Sequence, residues 1–227
     1  IFLKTEDEIE LLRQSNLLVG KTLAEVAKLI KPGITTRELD KVAEEFIRDN
    51  GAVPTFKGFP NQYGDPFPGS LCTSVNDEVV HGIPSKDRIL QDGDIVSLDA
   101  GLIHEGYHSD AARTHAVGNI SEEAKRLIEV TKQSFFEGIK LAVPGNHLFD
   151  ISEAIQKYVE SNGYSVVRDL VGHGIGTHLH EDPQIPNFKQ RRKGMKLRPG
   201  MTLAIEPMVN EGSYDAVSYT HLTLPTT

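Results

Sequence analysis

The residues most able to do chemistry lie in DIVSLDAGLIHEGYHSDAARTHAV, residues 94–117. The segment reads as two strands joined by a turn at His104, Glu105 and Gly106. A turn centred between residues 104 and 105 would set Asp99 directly opposite Asp110. Opposed side chains in such a ladder stand about 5 Å apart, and like charges there destabilise the sheet. Asp99 also sits among Ile95, Val96, Leu98 and Ala100, so both carboxylates are expected to converge in a mostly buried sheet. A reading of both as solvated edge residues disregards that apolar setting. Either the pair shares a proton or a cation lies between them.

Three further segments bear on the choice. VGHGIG places His173 between glycines, where a backbone packs close to a site, and His180 follows in HLHEDP. TLAIEPM puts Glu206 at the end of an apolar strand, where a buried, unpaired carboxylate would be costly. Two aspartates, one histidine and one glutamate form an oxygen-rich set with a single imidazole. Such a set suits Mn, Fe, Co or Zn rather than a thiolate-bound metal.

Helices and strands must position these groups. Thr5 and Glu8 have the spacing of a capping box, and Ile9, Leu12, Val19, Leu23, Val26 and Ile30 then follow at helical spacing up to Pro32-Gly33. A second helix is expected from Thr35, with Glu38 three residues on, to Asn50-Gly51; it buries Leu39, Val42, Ala43, Phe46 and Ile47. The pattern then returns. A helix from near Ser121 runs to Pro144-Gly145, 112 residues (144 − 32) after the first such pair, and the next ends at Asn162-Gly163 with the same displacement. The apolar stripe recurs as Ile151, Ala154, Ile155, Tyr158 and Val159. This predicts a duplicated α+β unit, with strands as one layer and helices outside. Strands are expected at Ser70–Val75, Asp94–Leu102, Tyr107–Val117, Ser165–Val167 and Met201–Glu206. Turn-rich stretches are expected at Lys57–Gly69, Gly82–Gly93 and Asp182–Gly200.

The bulk composition narrows the class. A chain of 227 residues with 38% hydrophobic and 25% charged residues suits one large globular domain or two small ones. It contains no apolar run of the roughly 20 residues that a membrane helix needs, and IFLKTEDEIE lacks the basic start of an export signal. One cysteine, Cys72, excludes internal disulfides and fits a reducing compartment, so a cytoplasmic location is expected. A net charge of −8 gives no basic footprint for nucleic acid across the chain. The one basic cluster, KQRRK at residues 189–193, reads as a solvated loop, with ribosome or nucleic-acid contact as the alternative.

HGIP at His81, SLDAG at Asp99, HSDAART at Asp110, GHGIG at His173, HEDP at His180 and AIEPM at Glu206 stand in an order and spacing that resemble type I methionine aminopeptidases. The resemblance runs from the first helix to about Gly212. It implies the pita-bread fold, an α+β domain of pseudo-twofold related halves with a central antiparallel sheet covered by helices. It also implies two divalent ions held by Asp99, Asp110, His173 and Glu206, with Asp110 bridging them. The implied reaction removes the initiator methionine of nascent polypeptides at the ribosome. A metal-bridging hydroxide attacks the first peptide bond, Glu206 shuttles the proton, and His81 and His180 flank the substrate. Phe59, Phe67, Cys72 and Leu179 match positions around the methionine pocket, although each could equally be plain core. His178 lies one strand period from His180 and is given no role. A monomer that needs neither membrane nor nucleic acid is expected.

The resemblance implies one more glutamate, on a final strand, that bridges both ions. This sequence contains no equivalent, so weak binding of the second ion, or an inactive chain, is the alternative expectation. After EGSYDA the chain reads VSYTHLTLPTT, which resembles the translation of a sequencing adapter. Residues 1–216 are therefore expected to be the catalytic domain, incomplete at its C-terminus. Residues 217–227 are expected to be a non-native tail, with His221 no ligand. Two other functions fit less well: a proline-specific aminopeptidase or prolidase of the same fold, and an inactive pita-bread binding module.

Overall fold

The computed structural model describes residues 1–60, 65–218 and 223–225. The first half runs α1 (Glu6–Ala27), α2 (Thr36–Asp49), β1 (Val53–Pro54), β2 (Leu71–Val75), β3 (Ile95–His104) and β4 (Tyr107–Ala116). The second runs α3 (Glu122–Ile139), α4 (Leu148–Ser161), β5 (Ser165–Val166), β6 (Gly172–Gly174), β7 (Glu181–Ile185), β8 (Leu203–Ala204) and β9 (Val209–Asn210). A last pair, β10 (Ala216–Ser218) and β11 (Thr223–Pro225), is antiparallel. His221 lies outside the described residues.

Local sequence explains the helices. Thr5 and Thr35 each cap a helix, and each box is closed by the glutamate three residues on, Glu8 or Glu38. α1 ends at Ala27 and α3 at Ile139, several residues before Pro32 and Pro144. The Pro-Gly pairs thus follow the helix ends rather than make them. A proline disfavours helical geometry in the residue before it, so the connection leaves the helix ahead of it. Ile9, expected in the buried stripe, is 40% exposed, because the stripe extends one turn beyond the covered part of α1.

The duplication is borne out in detail. α2 and α4 start and end 112 residues apart (148 − 36 and 161 − 49), as do β1 and β5. Each half builds its own core. Leu39, Ala43 and Ile47 join Leu71, Val96 and Leu98 in one, while Ile151, Ile155 and Val159 join Val166 and Ile185 in the other. Leu90 donates to the Ile34 carbonyl, and Leu197 donates to Asn146, the residue equivalent to Ile34. That shared tie sets the chain position of the following strand in each half. Asp99 lies nine residues past Leu90 (99 − 90), and Glu206 nine past Leu197 (206 − 197).

Every strand pairing among the described residues is antiparallel. β1 and β2 share one edge of β3 while β4 takes the other, and β6 lies between β7 and β8. Three expectations are corrected. The strand placed at Met201–Glu206 contracts to Leu203–Ala204, and the stretch read as turns from Asp182 contains most of β7. β1 and β6 were not foreseen; their glycines, proline and two- or three-residue lengths give no period-two pattern to detect.

Candidate metal centre

β3 and β4 place the two aspartates. Their turn is Glu105-Gly106, both at positive φ (50° and 80°), the two-residue geometry that matches strand twist. His104 therefore faces Tyr107, Asp99 faces Ala112 and Asp110 faces Gly101. The expected direct opposition of Asp99 and Asp110 is corrected to a diagonal one. A two-residue shift preserves the face, so the carboxylates still converge, from backbones about 7–8 Å apart. Gly101 lies opposite Asp110, where a Cβ would stand 2.7 Å from the Phe56 ring. Across the other edge Cys72 faces Asp99 and is buried. Burial, followed by the charges of Asp99 and Asp110, pushes its thiol up, so it is an inert wall.

β6 supplies His173, 8% exposed. Side chains at the neighbouring Gly172 and Gly174 would strike the carbonyls of Ala204 and Asp182, so only glycine lets β6 pack this closely between its partners. His173 Nδ1 stands 2.8 Å from the Gly174 carbonyl. With the proton on Nδ1, that contact is a donated hydrogen bond that orients the ring and leaves Nε2 as a lone-pair donor. Nε2 lies 3.3 Å from Glu206 Oε1 and 3.7 Å from Asp110 Oδ2. Glu206 follows β8 rather than lying within it, and its carbonyl accepts a hydrogen bond from Asn187 Nδ2 at 2.9 Å. Asn187 is fully buried. The sequence reading missed it because it lies in a stretch assigned to turns.

The electrostatics are those of a negatively charged pit. Burial, then the charge of Asp110 and a hydrogen bond with it, pushes the Asp99 carboxyl well above the carboxylate range. Glu206 keeps 37% of its side chain open to the cleft. Burial of its carboxyl and the Asp110 charge nonetheless push it up to about 7. Burial opposes charging of His173, but the Asp110 carboxylate at 3.7 Å, the Gly174 carbonyl and the Glu206 charge outweigh it and raise its pKa. Asp99 Oδ1 is shielded from solvent with no hydrogen-bond partner.

No three His, Cys, Asp or Glu side chains among the described residues form a ready-made coordination sphere; Asp110 and Glu206 each meet His173, and Asp99 meets Asp110. An orphaned carboxylate oxygen, two more carboxylates and an oriented imidazole Nε2 are nevertheless the donor set that a divalent cation would satisfy.

Two histidines rim this pit, and both are exposed. His81 has φ +61°, a costly conformation for a residue other than glycine. The segment is held because Gly82 donates to Ser74 Oγ and accepts from the Thr73 N–H. The His180 ring stands edge-on to His173 at 4.5 Å and to Phe59 at 5.8 Å. Burial of one flank lowers the pKa of both rings, and His173 lowers that of His180 further.

The pocket residues divide. Phe59 touches His180, and Cys72 lies across from Asp99. Leu179 is buried, and half-buried Phe67 donates its backbone N–H to the Phe59 carbonyl and accepts from the Gly58 N–H. His178 is exposed.

Comparison with known proteins gives the family. The model of metallopeptidase family M24 matches residues 10–226. A methionine aminopeptidase of Clostridium acetobutylicum is 58% identical over 214 residues, which are 94% of this chain and 84% of that one. The crystal structure of methionine aminopeptidase from Thermotoga maritima matches with a TM-score of 0.94 and 43% identity, over 100% of this chain and 89% of that one. The enzyme from Rickettsia prowazekii also gives 0.94, with 38% identity over 100% and 90%. The chain belongs to metallopeptidase family M24 and, within it, to the methionine aminopeptidases.

Proposed function

We propose that this chain removes the initiator methionine from nascent proteins, using Asp99, Asp110, His173 and Glu206 to hold divalent metal. The observation that carries the reading is the shielded, partnerless Asp99 Oδ1, on the same sheet face as Asp110, whose carboxylate meets His173 beside Glu206. Two ions would suit a site of three carboxylates and one imidazole, with Asp99, Asp110, His173 and Glu206 as the residues that would hold them. Mn, Fe, Co and Zn all accept such donors. Bound there, the metal would supply Lewis acidity and would lower the pKa of bound water towards neutral.

The protein's own groups do the rest. Glu206 would take a proton from the attacking water and return it to the leaving amine. His180 donates a hydrogen bond to the carbonyl oxygen as charge builds on it. His81 contacts the scissile amide from the opposite rim. Phe59, Phe67, Cys72 and Leu179 wall the methionine side chain, whose flexible thioether suits an apolar slot.

We place the catalytic unit within residues 1–216 and assign no chemistry to residues 217–227. Among the described residues no helix is long and apolar enough to cross a membrane. Action as a monomer on nascent chains in the cytoplasm is part of the proposal.

The test is release of free methionine from a Met-Ala-Ser peptide by the purified chain with added Mn(II) or Co(II). Metal-dependent turnover that vanishes in Glu206→Ala is expected. A wild-type chain that binds these metals yet releases no methionine would overturn the reading.

A further inference from the structure

A buried ion pair lies beside the catalytic cleft, and none of the roles above uses it. Lys4 Nζ bonds Glu181 Oε2, and the two side chains are only 5% and 9% exposed. Lysine and glutamate are seldom buried to this degree, because desolvating both charges costs several kcal/mol per ion unless geometry and further hydrogen bonds compensate. Here they do. Glu181 Oε1 accepts the His178 N–H at 3.2 Å, and a hydrogen bond from the Thr177 backbone also holds its carboxylate. Lys4 Nζ also reaches the Phe2 carbonyl. Gly176 makes the room: a Cβ there would stand 2.5 Å from both Lys4 Cε and Glu181 Oε1.

The pair joins two parts of the site. Glu181 immediately follows His180, and its carboxylate gathers the N–H groups of the short loop that presents that ring. Lys4 immediately precedes Thr5, the cap of α1. α1 is fastened to the strand bearing Asp110: Ser15 Oγ donates to the Tyr107 carbonyl, Ser109 Oγ donates to the Ser15 carbonyl, and Tyr107 donates to Glu8. The Lys4 backbone is pinned as well, its N–H donating to the Gly200 carbonyl at 2.8 Å. From the other side the His108 N–H donates to the Gly176 carbonyl. The His180 loop is therefore referenced to the Asp110 strand twice, directly through His108 and through α1 by the Lys4–Glu181 pair.

We propose that Lys4 and Glu181 are positioning residues that hold the His180 ring in register with the metal ligands, so that the N-terminal segment is part of the active-site apparatus. The inference rests on the catalytic role proposed for His180. Neither residue touches the substrate.

The test compares Lys4→Met and the double variant Lys4→Met/Glu181→Gln with the parent chain. Lys4→Met strands a buried carboxylate, and the loop should shift to hydrate it. In the double variant the amide at position 181 still accepts the loop N–H groups and needs no counter-charge, so the loop should return. Two readouts are taken. In long-range proton–nitrogen spectra, the His180 ring resonances of Lys4→Met should move while those of His81 stay, and the double variant should restore them. In peptide hydrolysis, kcat should fall by roughly tenfold to a hundredfold with little change in KM, as a small misplacement of a catalytic group does, and recover in the double variant. Unmoved His180 resonances in Lys4→Met, even with a lowered melting temperature, would reduce the pair to a structural brace and overturn the proposal. A double variant as displaced as the single one would also overturn it. If even the parent chain failed to hydrolyse the peptide, the proposed function would fall while the spectra still decided the positioning claim.

Discussion

Asp99→Asn should make the metal-free chain more stable while abolishing its ability to be stabilised by metal. Asparagine keeps the shape of the side chain and removes its charge. In the parent, the Asp99 carboxyl lies diagonal to Asp110 on one sheet face, with Oδ1 shielded from solvent and unpaired. The carboxyls converge to hydrogen-bonding reach, and two unit charges about 4 Å apart at an effective dielectric of about 20 repel by roughly 4 kcal/mol. An amide at position 99 could also donate to Asp110, a bond worth about 1 kcal/mol. Partial proton sharing already relieves much of the repulsion, so a net gain of about 1–3 kcal/mol is expected near neutral pH. For a chain of this size each kcal/mol moves the melting temperature by about 2–4 °C. Scanning calorimetry with chelator present should therefore show Asp99→Asn melting several degrees above the parent. With Mn(II) or Co(II) added the order should reverse, because only the parent gains binding energy. Acid provides a control. The folded-state pKa of Asp99 is raised, so its ionisation destabilises the fold as pH climbs above the unfolded value of about 4, and the advantage of asparagine should shrink below that pH. A variant that melts below the parent in chelator at pH 7 would show that the aspartates do not repel in a shared site.

Other consequences follow from the same geometry. Gly82→Ala would drive a Cβ into the Thr73 carbonyl, where backbone rather than a mobile side chain must yield; urea unfolding should show a loss of about 2 kcal/mol or more. Asn187→Ala removes the hydrogen bond that holds the Glu206 backbone and should lower metal affinity by roughly tenfold to a hundredfold in calorimetric titration, as loss of an outer-shell partner does. Burial works against the charge of Glu181, but the bonds from Lys4 and the His178 N–H outweigh it and hold its pKa below 4.5. The stability this provides is complete above pH 4.5 and lost as pH falls through the lower folded-state value. Acid unfolding of Lys4→Met, which lacks the largest of these bonds, should show a shallower loss over that window.

Much of this protein is written locally. The two capping boxes, the helical stripes and the 112-residue echo of Pro-Gly and Asn-Gly depend on contacts within one or two turns, and periodicity reveals those. The donor types were legible for a related reason: charged groups in apolar strands demand partners, so Asp99 and Glu206 stand out from their neighbours alone. Tertiary structure decided how those donors meet. The turn at Glu105-Gly106 moved the strand register by two residues, which changed a direct pair of aspartates into a diagonal one. A choice between turn geometries separated by one residue depends on twist and packing across the whole hairpin. β1 and β6 form because neighbouring strands accept their backbones, and glycine-rich pieces of two or three residues carry no pattern that would announce it. Lys4, Glu181 and Asn187 were invisible for the deepest reason. A lysine near a chain start, a glutamate in a loop and an asparagine among turns are ordinary solvated residues by type, and only the fold removes them from water and gives each a partner far along the chain.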